Sequence, residues 1–271
     1  MLTSPPMVNL SAPEATGDML AALGRLDGIR SAWAGGDEGL TALDQYYAGK
    51  QPLRYMSTDL QRDLGDAVTQ LVINWPQMVA DSHAERHVVT GFVYPSSGGS
   101  PSVSSETLWV WWQANDMDGR SNMAQLDAIA LSRAALLVGP PVKGDDTPSI
   151  TAESAFDVAW VRDPRTGLVS RGLKAWADVD DAGISTEWRN LYVPGRRITL
   201  RKTERGWVVD QDVELGGDVL PLVPMPNRPR LKGLGQDGRS EFVPIIPLAN
   251  AANKMATDMM ISGEFHAMPR R

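Results

Sequence analysis

Two histidines and a glutamate lie close enough in the sequence to suggest a metal site. His83 and His87 are four residues apart with Glu85 between them, and histidines at this spacing face the same side of a helix. In zinc-protease helices the glutamate directly follows the first histidine and faces the metal-bound water. Glu85 stands one position later, rotated by about 200° from His83, and no third ligand is evident. We therefore predict a polar helix end and no metal.

A glycine-rich run suggests a second kind of chemistry, phosphate binding. Residues 233–238 read G-x-G-x-x-G, and Asp258 follows about 20 residues later, as in dinucleotide-binding folds. That motif must follow a buried strand and open a helix directly. Residues 227–230 (NRPR) precede it instead, so we interpret the run as a surface loop. We predict no catalytic residue and no cofactor, and a small α+β nucleotide-binding enzyme is the least favoured interpretation.

Composition excludes further classes of protein. The chain contains no cysteine, which removes disulfides, thiolate nucleophiles and cysteine-ligated metals. No apolar run is long enough to span a bilayer, so we expect no membrane partner. The net charge of −7 repels phosphate and disfavours tight sequence-independent binding of nucleic acid by the whole chain.

Hydrophobic spacing predicts helices in the first half of the chain. The predicted helices are one carrying Met19, Leu20, Leu23 and Leu26, a short one carrying Leu40, Leu43 and Tyr47, a longer one from Ser57 or Thr58 to Val72, and one carrying Met123, Leu126, Ile129 and Ala130. Asp37 and Ser121 are the expected N-caps of the second and fourth. Pro76 predicts a break with a restart at Asn74-Trp75, because proline removes a helical hydrogen bond.

The second half of the chain is typical of short strands separated by turns. The predicted strands are 136–138, 156–161, 168–176, 188–193, 196–200, 207–210 and 219–223, and an earlier one runs from His87 to Tyr94. Residues 163–167 (DPRTG) predict a turn. Helices followed by a run of strands indicate an α+β fold.

A last helix is expected to begin near Pro247, because proline is tolerated in the first turn. Its apolar stripe consists of Leu248, Ala252, Met255 and Met259. The polar residues that fall mostly off this stripe are Asn250, Asn253, Lys254 and Asp258. Basic residues cluster ahead of it at Arg228, Arg230, Lys232 and Arg239. A second basic cluster, 196–205, is either a contact with DNA or a neighbouring subunit or a solvated edge strand that discourages pairing.

Six motifs, in this order, resemble the portal proteins of tailed bacteriophages, the siphophage head–tail connector family. They are Tyr46-Tyr47 with Gly49 and Pro52-Leu53, Asn74 with Asp81, Arg86 and Gly91-Phe92, the tryptophan run 109–118, the segment 157–176, Leu191–Pro194, and the C-terminal PLVPMPNRPR, GRSEF and PIIPLANAANKMATDMMISGEFHAMPRR. Each motif alone is weak, but six in order are specific, and together they cover Tyr46 to Arg271.

The resemblance implies an architecture of three parts. Residues 1–56 would form an N-terminal arm and helices, residues 57–245 a mixed wing domain with a small β-sheet, and residues 246–271 the first stem helix. Portal proteins of this family continue into a clip, a second stem helix, a tunnel loop and a crown. We therefore expect this chain to be truncated before the clip and crown.

The resemblance also implies a structural function, with no enzymatic activity. Portal proteins form a dodecameric ring at one capsid vertex, through which double-stranded DNA is packaged and ejected. The implied partners are further copies of the chain, terminase, scaffold, the major capsid protein and a head–tail adaptor, in the virion and, during assembly, the host cytoplasm. Another minor head or adaptor protein is the alternative.

The resemblance assigns roles to residues of the last helix and of the loop before it. The apolar stripe Leu248, Ala252, Met255 and Met259 is expected to pack on neighbouring subunits, with the polar side of the helix facing the channel. The residues expected to contact DNA or another subunit are Lys254, Arg228, Arg230 and Arg239.

Overall fold

The computed structural model describes residues 15–36, 39–52, 72–93, 104–141, 146–231 and 237–267. Its helices are α1 (Gly17–Ala34), α2 (Leu40–Tyr47), α3 (Trp75–Ala84), α4 (Ser105–Ala114), α5 (Met117–Leu131) and α6 (Ile246–Ala267). Its strands are β1 (Arg133–Pro141), β2 (Pro148–Ser154), β3 (Val158–Arg162), β4 (Val169–Val179), β5 (Ser185–Val193), β6 (Arg196–Thr203), β7 (Gly206–Glu214) and β8 (Leu222–Pro226). The predicted α+β class is confirmed.

The chain divides into two units. Unit 1 comprises the chain up to Trp33 together with Ala135–Pro224, and unit 2 comprises Ala34–Ala134 together with Met225–Arg271. The predicted boundaries at residues 56 and 245 name portal regions, and those assignments stay a prediction.

Unit 1 is built on an antiparallel sheet of five strands in the order β3-β4-β5-β6-β7. Alternation along the strands places Leu173, Leu191 and Ile198 on one rung of this sheet. Leu23 and Leu26 of α1 belong to the same buried cluster, because they recur at helical spacing and form the inner side of that helix. Helix α1 therefore covers one face of the sheet.

A buried ion pair links α1 to the sheet. Arg189 of β5 is 7% exposed, and its Nε donates to Asp27 of α1 at 3.2 Å. Its guanidinium also lies over the Trp207 ring, 5.1 Å from the centroid. The buried charge is thus both paired and stacked, as a buried arginine requires.

Strands β2, β1 and β8 form a second, three-stranded sheet in that order. A separate core cluster in unit 1 contains Leu137 of β1, Leu222 of β8 and Val158, Trp160 and Tyr192 of the larger sheet. Trp160 also meets Trp33 edge-on, with ring centroids 4.7 Å apart, a favourable aromatic geometry. These apolar contacts join the smaller sheet to the larger one.

Unit 2 consists of helices, and α5 contacts α2, α3 and α4. The predicted restart at Asn74-Trp75 is confirmed, since α3 begins at Trp75 with Pro76 in its first turn and Asn74 as N-cap. Leu40 and Leu43 of α2 are buried as expected. The buried aromatic residue of α2 is Tyr46, whereas the sequence indicated Tyr47.

Several local predictions were wrong. Residues 87–93 form neither helix nor strand, and Phe92 instead packs edge-on against Trp112, with centroids 5.4 Å apart. Ser121 is no cap, because α5 already begins at Met117 and carries Ser121 buried inside it. Met123 is 67% exposed rather than directed inward.

Strand positions in the second half were predicted better than helix starts. The last predicted strand, 219–223, is displaced to Leu222–Pro226, because Val219 is exposed whereas Leu222 is buried in the core. Strand β2 was not predicted. The expected cap Asp37, most of the helix expected at 57–72, and residues 233–236 of the glycine-rich run lie outside the described residues.

Candidate functional site

The two histidines do not form a metal-binding pair in the structure. Helix α3 ends at Ala84, so His87 lies beyond it and the helical spacing does not apply. The His83 ring is engaged locally, with Nδ1 2.8 Å from the carbonyl oxygen of Val79. Within the residues described, no group of three or more His, Cys, Asp or Glu is placed to hold a metal ion.

The Ser240-Glu241 step binds the carboxyl end of α5. The Ser240 hydroxyl donates to the carbonyl of Ala130 at 2.6 Å, and the Glu241 amide donates to the carbonyl of Ile129 at 3.1 Å. The last carbonyls of a helix have no partner inside the helix. This segment therefore supplies the donors that the end of α5 lacks, and we call it the α5 clamp (Asn227, Gly238, Ser240 and Glu241).

The other two members of the clamp complete the same contact. The amide of Asn227 donates to the carbonyl of Ser132 at 2.9 Å, and its side chain donates to the carbonyl of Arg239 at 2.8 Å and to Glu241 Oε1 at 2.9 Å. Gly238 has φ +106°, and a Cβ there would lie 2.0 Å from the Ser132 oxygen. Glycine is thus required where the clamp passes the end of α5.

Helix α6 is attached to the rest of unit 2 through polar residues. Asn250 is buried and exchanges hydrogen bonds with the Tyr46 hydroxyl, at 3.1 and 2.9 Å. Asn253 is buried one turn later and accepts from the amide of Ile73 at 2.8 Å. We call this contact the α6 seam (Tyr46, Ile73, Asn250 and Asn253). Buried polar groups must find partners, and these two asparagines find theirs in segments distant in sequence.

Tyr47 of α2, the neighbour of Tyr46 in the seam, makes a further set of contacts. The Tyr47 hydroxyl donates to Asp81 of α3 at 2.9 Å, and the Tyr47 ring stacks on Phe242, with centroids 6.5 Å apart. Burial is the largest cause that raises the pKa of Tyr47 to about 12, and the Asp81 hydrogen bond is the next. Tyr46 and Tyr47 thus contact α6 and α3 respectively, which explains the adjacent tyrosines of the first motif.

The apolar stripe of α6 points away from the seam. Leu248, Met255 and Met259 are 65%, 66% and 73% exposed, and Ala252 is half-buried. The expectation that the polar side faces a channel was wrong for Asn250 and Asn253, which are buried against the chain itself. In this chain α6 therefore carries its two asparagines inward and its apolar stripe outward, while Asp258 is exposed.

The four basic residues predicted to contact DNA or a subunit differ in their surroundings. Lys254 pairs with Asp258 one turn along α6, and Arg228 Nε lies 2.6 Å from Glu241 Oε1. Arg230 and Arg239 are exposed. The clamp brings Arg239 beside the 227–230 loop, so three of the four arise from one surface feature, whereas Lys254 lies on the helix.

The other basic cluster, 196–205, lies mainly on β6, which is flanked by β5 and β7. It is therefore not on an edge strand, and that interpretation was wrong. Arg196 pairs with Asp212, and Lys202 lies 2.5 Å from Glu187. These cross-strand pairs stabilise the sheet locally.

The described helices include none that is both long enough and apolar enough to cross a membrane. Sequence reasoning located the stripe and the arginines but missed the seam and the clamp. The Asn-rich composition of α6 was visible, but nothing local signalled that Asn250 would meet Tyr46, 204 residues away in the sequence.

Comparison with known proteins agrees with the six motifs. Residues 38–270 match the family described as phage portal protein, SPP1 Gp6-like. The chain is 27% identical over 248 residues to the portal protein of Mycobacterium phage L5, covering 89% of this chain and 49% of that protein. It is 29% identical over 206 residues to the portal protein of Mycobacterium phage D29, covering 73% of this chain and 41% of that protein.

The chain thus spans about half the length, or less, of these two relatives. The family match nevertheless covers well over half of this chain, and it includes the clamp, the seam and the whole of α6. This chain belongs to the family of phage portal proteins described as SPP1 Gp6-like.

Proposed function

We propose that copies of this chain form the wing and first stem helix of a dodecameric portal ring. The ring would occupy one capsid vertex, pass double-stranded DNA during packaging and ejection, and dock terminase, scaffold, the major capsid protein and a head–tail adaptor. Its function would be structural, without catalysis. Membership of the portal family supports this proposal.

The observation that carries the proposal is the outward apolar face of α6. An exposed stripe of Leu248, Met255 and Met259 on one helix is unfavourable in water unless another surface covers it. The opposite face of α6 is already occupied by the seam, so the stripe is the face that remains for another molecule. A neighbouring copy in a ring would bury the stripe and gain about 25 cal/mol for each Å² of apolar surface removed from water.

The arginines of the clamp region fit the same arrangement. Arg230 and Arg239 are exposed in the segment that precedes α6 in the chain, so a ring built around α6 would repeat this basic pair once per copy. We propose that they contact DNA phosphates or an acidic surface of the neighbouring copy. Lys254 and Arg228 already have acidic partners within the chain, which reduces the charge that they offer to DNA.

The test replaces the stripe with polar residues of good helix propensity. The variant Leu248→Gln/Met255→Gln/Met259→Gln should lose self-association while keeping its helix content, because glutamine favours the helix about as well as methionine does. Association is measured by light scattering and negative-stain imaging, and helix content by circular dichroism. The wild-type chain is expected to give closed rings with a central hole.

The matched control is Met78→Gln on α3, because Met78 is 61% exposed but lies outside the stripe. This control should assemble as the wild type does. A wild-type chain that stays monomeric, or a triple variant that still forms rings, would contradict the proposal.

A further inference from the structure

Unit 1 contains a basic cleft of about 400 Å³ beside α1. Its charged lining consists of Arg25 of α1, Arg162 at the end of β3, Arg171 of β4 and one acidic residue, Asp163, which pairs with Arg165. Its apolar floor includes Val161 and Pro194. Among the described residues, no ion pair involves Arg25 or Arg171, and both are exposed. Three arginines against one aspartate thus leave the cleft with an excess of positive charge, in a chain whose net charge is −7.

The chemistry of this cleft selects an acidic segment that also carries aliphatic side chains. Arginines bind carboxylates through charge-assisted hydrogen bonds, and an apolar floor adds the burial of aliphatic groups. Duplex DNA presents its phosphates on a convex, polar surface, so it would leave that apolar floor unfilled. A protein loop with carboxylates next to valine or isoleucine fits better.

The same unit carries such a loop at the turn between β4 and β5. The tip of this hairpin, Asp178–Ile184, is exposed throughout. Val179 is 61% exposed and Ile184 63% exposed. Asp180 is used inside the turn, where Oδ1 accepts from the amides of Ala182 and Ile184. Asp178 and Asp181 are therefore the carboxylates that the tip can offer to another molecule.

The tip and the cleft lie at opposite ends of one strand. The cleft borders the turn before β4, at Asp163 and Pro164, and the tip begins with the last two residues of β4, Asp178 and Val179. An 11-residue strand spans about 35 Å, so one chain cannot bring its own tip into its own cleft. Two different surfaces that complement each other on one chain produce a head-to-tail contact, which closes into a ring when the rotation allows.

We propose that the β4–β5 tip of one copy inserts into the basic cleft of the next copy. Asp178 and Asp181 would face Arg25 and Arg171, and Val179 and Ile184 would cover the apolar floor. This proposal rests on the proposed ring for its biological setting. The contact itself requires only that two copies of unit 1 meet.

Charge exchange tests the pairing. The cleft variant Arg25→Glu/Arg171→Glu and the tip variant Asp178→Lys/Asp181→Lys should each weaken association at least tenfold. A 1:1 mixture of the two variants, and the chain carrying all four changes, should recover most of it, because opposite charges again face each other. The matched control Glu85→Lys/Arg86→Glu changes exposed charges on unit 2 and should have no effect, and circular dichroism verifies that each variant is folded.

Cross-linking tests the contact without relying on rings. The chain has no cysteine, so a short bismaleimide reacts with introduced thiols alone. The variant Ala182→Cys/Pro164→Cys should give a ladder of multimers, because every copy carries both reaction partners. Each single variant should give no ladder.

The outcomes separate this proposal from the proposed ring. Rings that tolerate both charge variants and give no ladder would overturn the tip–cleft contact and leave the ring standing. A ladder from a chain that forms no rings would support the contact and contradict the ring. Loss of DNA binding in the cleft variant with unchanged association would assign the cleft to phosphate and overturn the proposal.

Discussion

The hydroxyl of Ser240 is the hydrogen-bond partner of two buried backbone groups. It donates to the Ala130 carbonyl and accepts from the Phe242 amide at 3.0 Å. We predict that Ser240→Ala lowers the free energy of unfolding by about 1–3 kcal/mol, because a buried carbonyl and a buried amide lose their partner. Urea denaturation measures the change. Ser262→Ala, at an exposed position of α6, is the control and should change stability little.

Tyr47 makes stability depend on pH in the alkaline range. Its pKa in the folded chain is about 12, against an ordinary value of 10.0, so the fold favours the neutral phenol. The stabilisation is complete below the ordinary pKa and is lost as pH rises through the folded value. We predict that Tyr47→Phe removes this loss between these two values, as measured by denaturation midpoints across that range.

The same variant identifies the titrating group. The phenolate absorbance that disappears in Tyr47→Phe should be the component that titrates near pH 12. If the component that disappears titrates at the ordinary value, Tyr47 is neither buried nor hydrogen-bonded to Asp81 in solution as it is in the structure. The pKa of Tyr192 is also raised by burial. Because Tyr192 is present in both chains, its titration should be unchanged in Tyr47→Phe.

At the scale of elements, the α5 clamp depends on one backbone conformation. Gly238→Ala would place a Cβ 2.0 Å from the Ser132 oxygen at a φ of +106°. We predict a loss of at least about 2 kcal/mol in unfolding free energy.

Gly263→Ala is the control and should not destabilise the chain. Nothing lies within 4 Å of a Cβ at this position, and alanine favours the helix over glycine by about 0.5–1 kcal/mol. A Gly238→Ala chain as stable as the wild type would show that the clamp is not formed.

The sequence located the elements more reliably than it located their contacts. Turn signals between short segments located β3 to β7, and these strands have an apolar face against a core. Helix α6 was placed correctly from its period and from Pro247. Which face of α6 is buried was not predictable from that period, because burial of Asn250 and Asn253 depends on the donors of Tyr46 and Ile73. The start of α5 was missed because Asp116, its N-cap, has φ 54° and makes no side-chain cap.

At the scale of the whole molecule, the net charge predicts how the proposed ring would interact with DNA. Each copy contributes a net charge of −7, so the proposed ring should bind duplex DNA weakly, and mainly at low salt. We predict that Arg230→Gln/Arg239→Gln reduces the slope of log affinity against log salt concentration by about 2. Fluorescence anisotropy with labelled duplex measures it, and Arg86→Gln on unit 2 is the control. An unchanged slope would exclude these arginines as phosphate contacts.

The division into units was beyond the reach of sequence patterns. The chain passes from one unit to the other at Trp33, Ala134 and Pro224. Only the first crossing stands beside a linker-like run, residues 35–39 (GGDEG), whereas the other two fall inside strands β1 and β8. Unit 2 is completed by hydrogen bonds between residues as distant as Tyr46 and Asn250. Spacing within a segment carries no information about such pairs, whereas the match to the portal family, residues 38–270, includes both of these residues.

The α6 seam also limits how far α6 can shift along its axis or turn about it. A slip of α6 by one residue would move it by about 1.5 Å and turn it by about 100°, which would separate both asparagines from their partners. Apolar surfaces permit small slides, whereas two directional hydrogen bonds one turn apart do not. In a closed ring, an angular error in one copy is repeated in every copy. The errors add up, and they leave a gap between the first copy and the last. In the proposed ring, the seam would therefore hold α6 of each copy in one orientation, accurately enough for the ring to close.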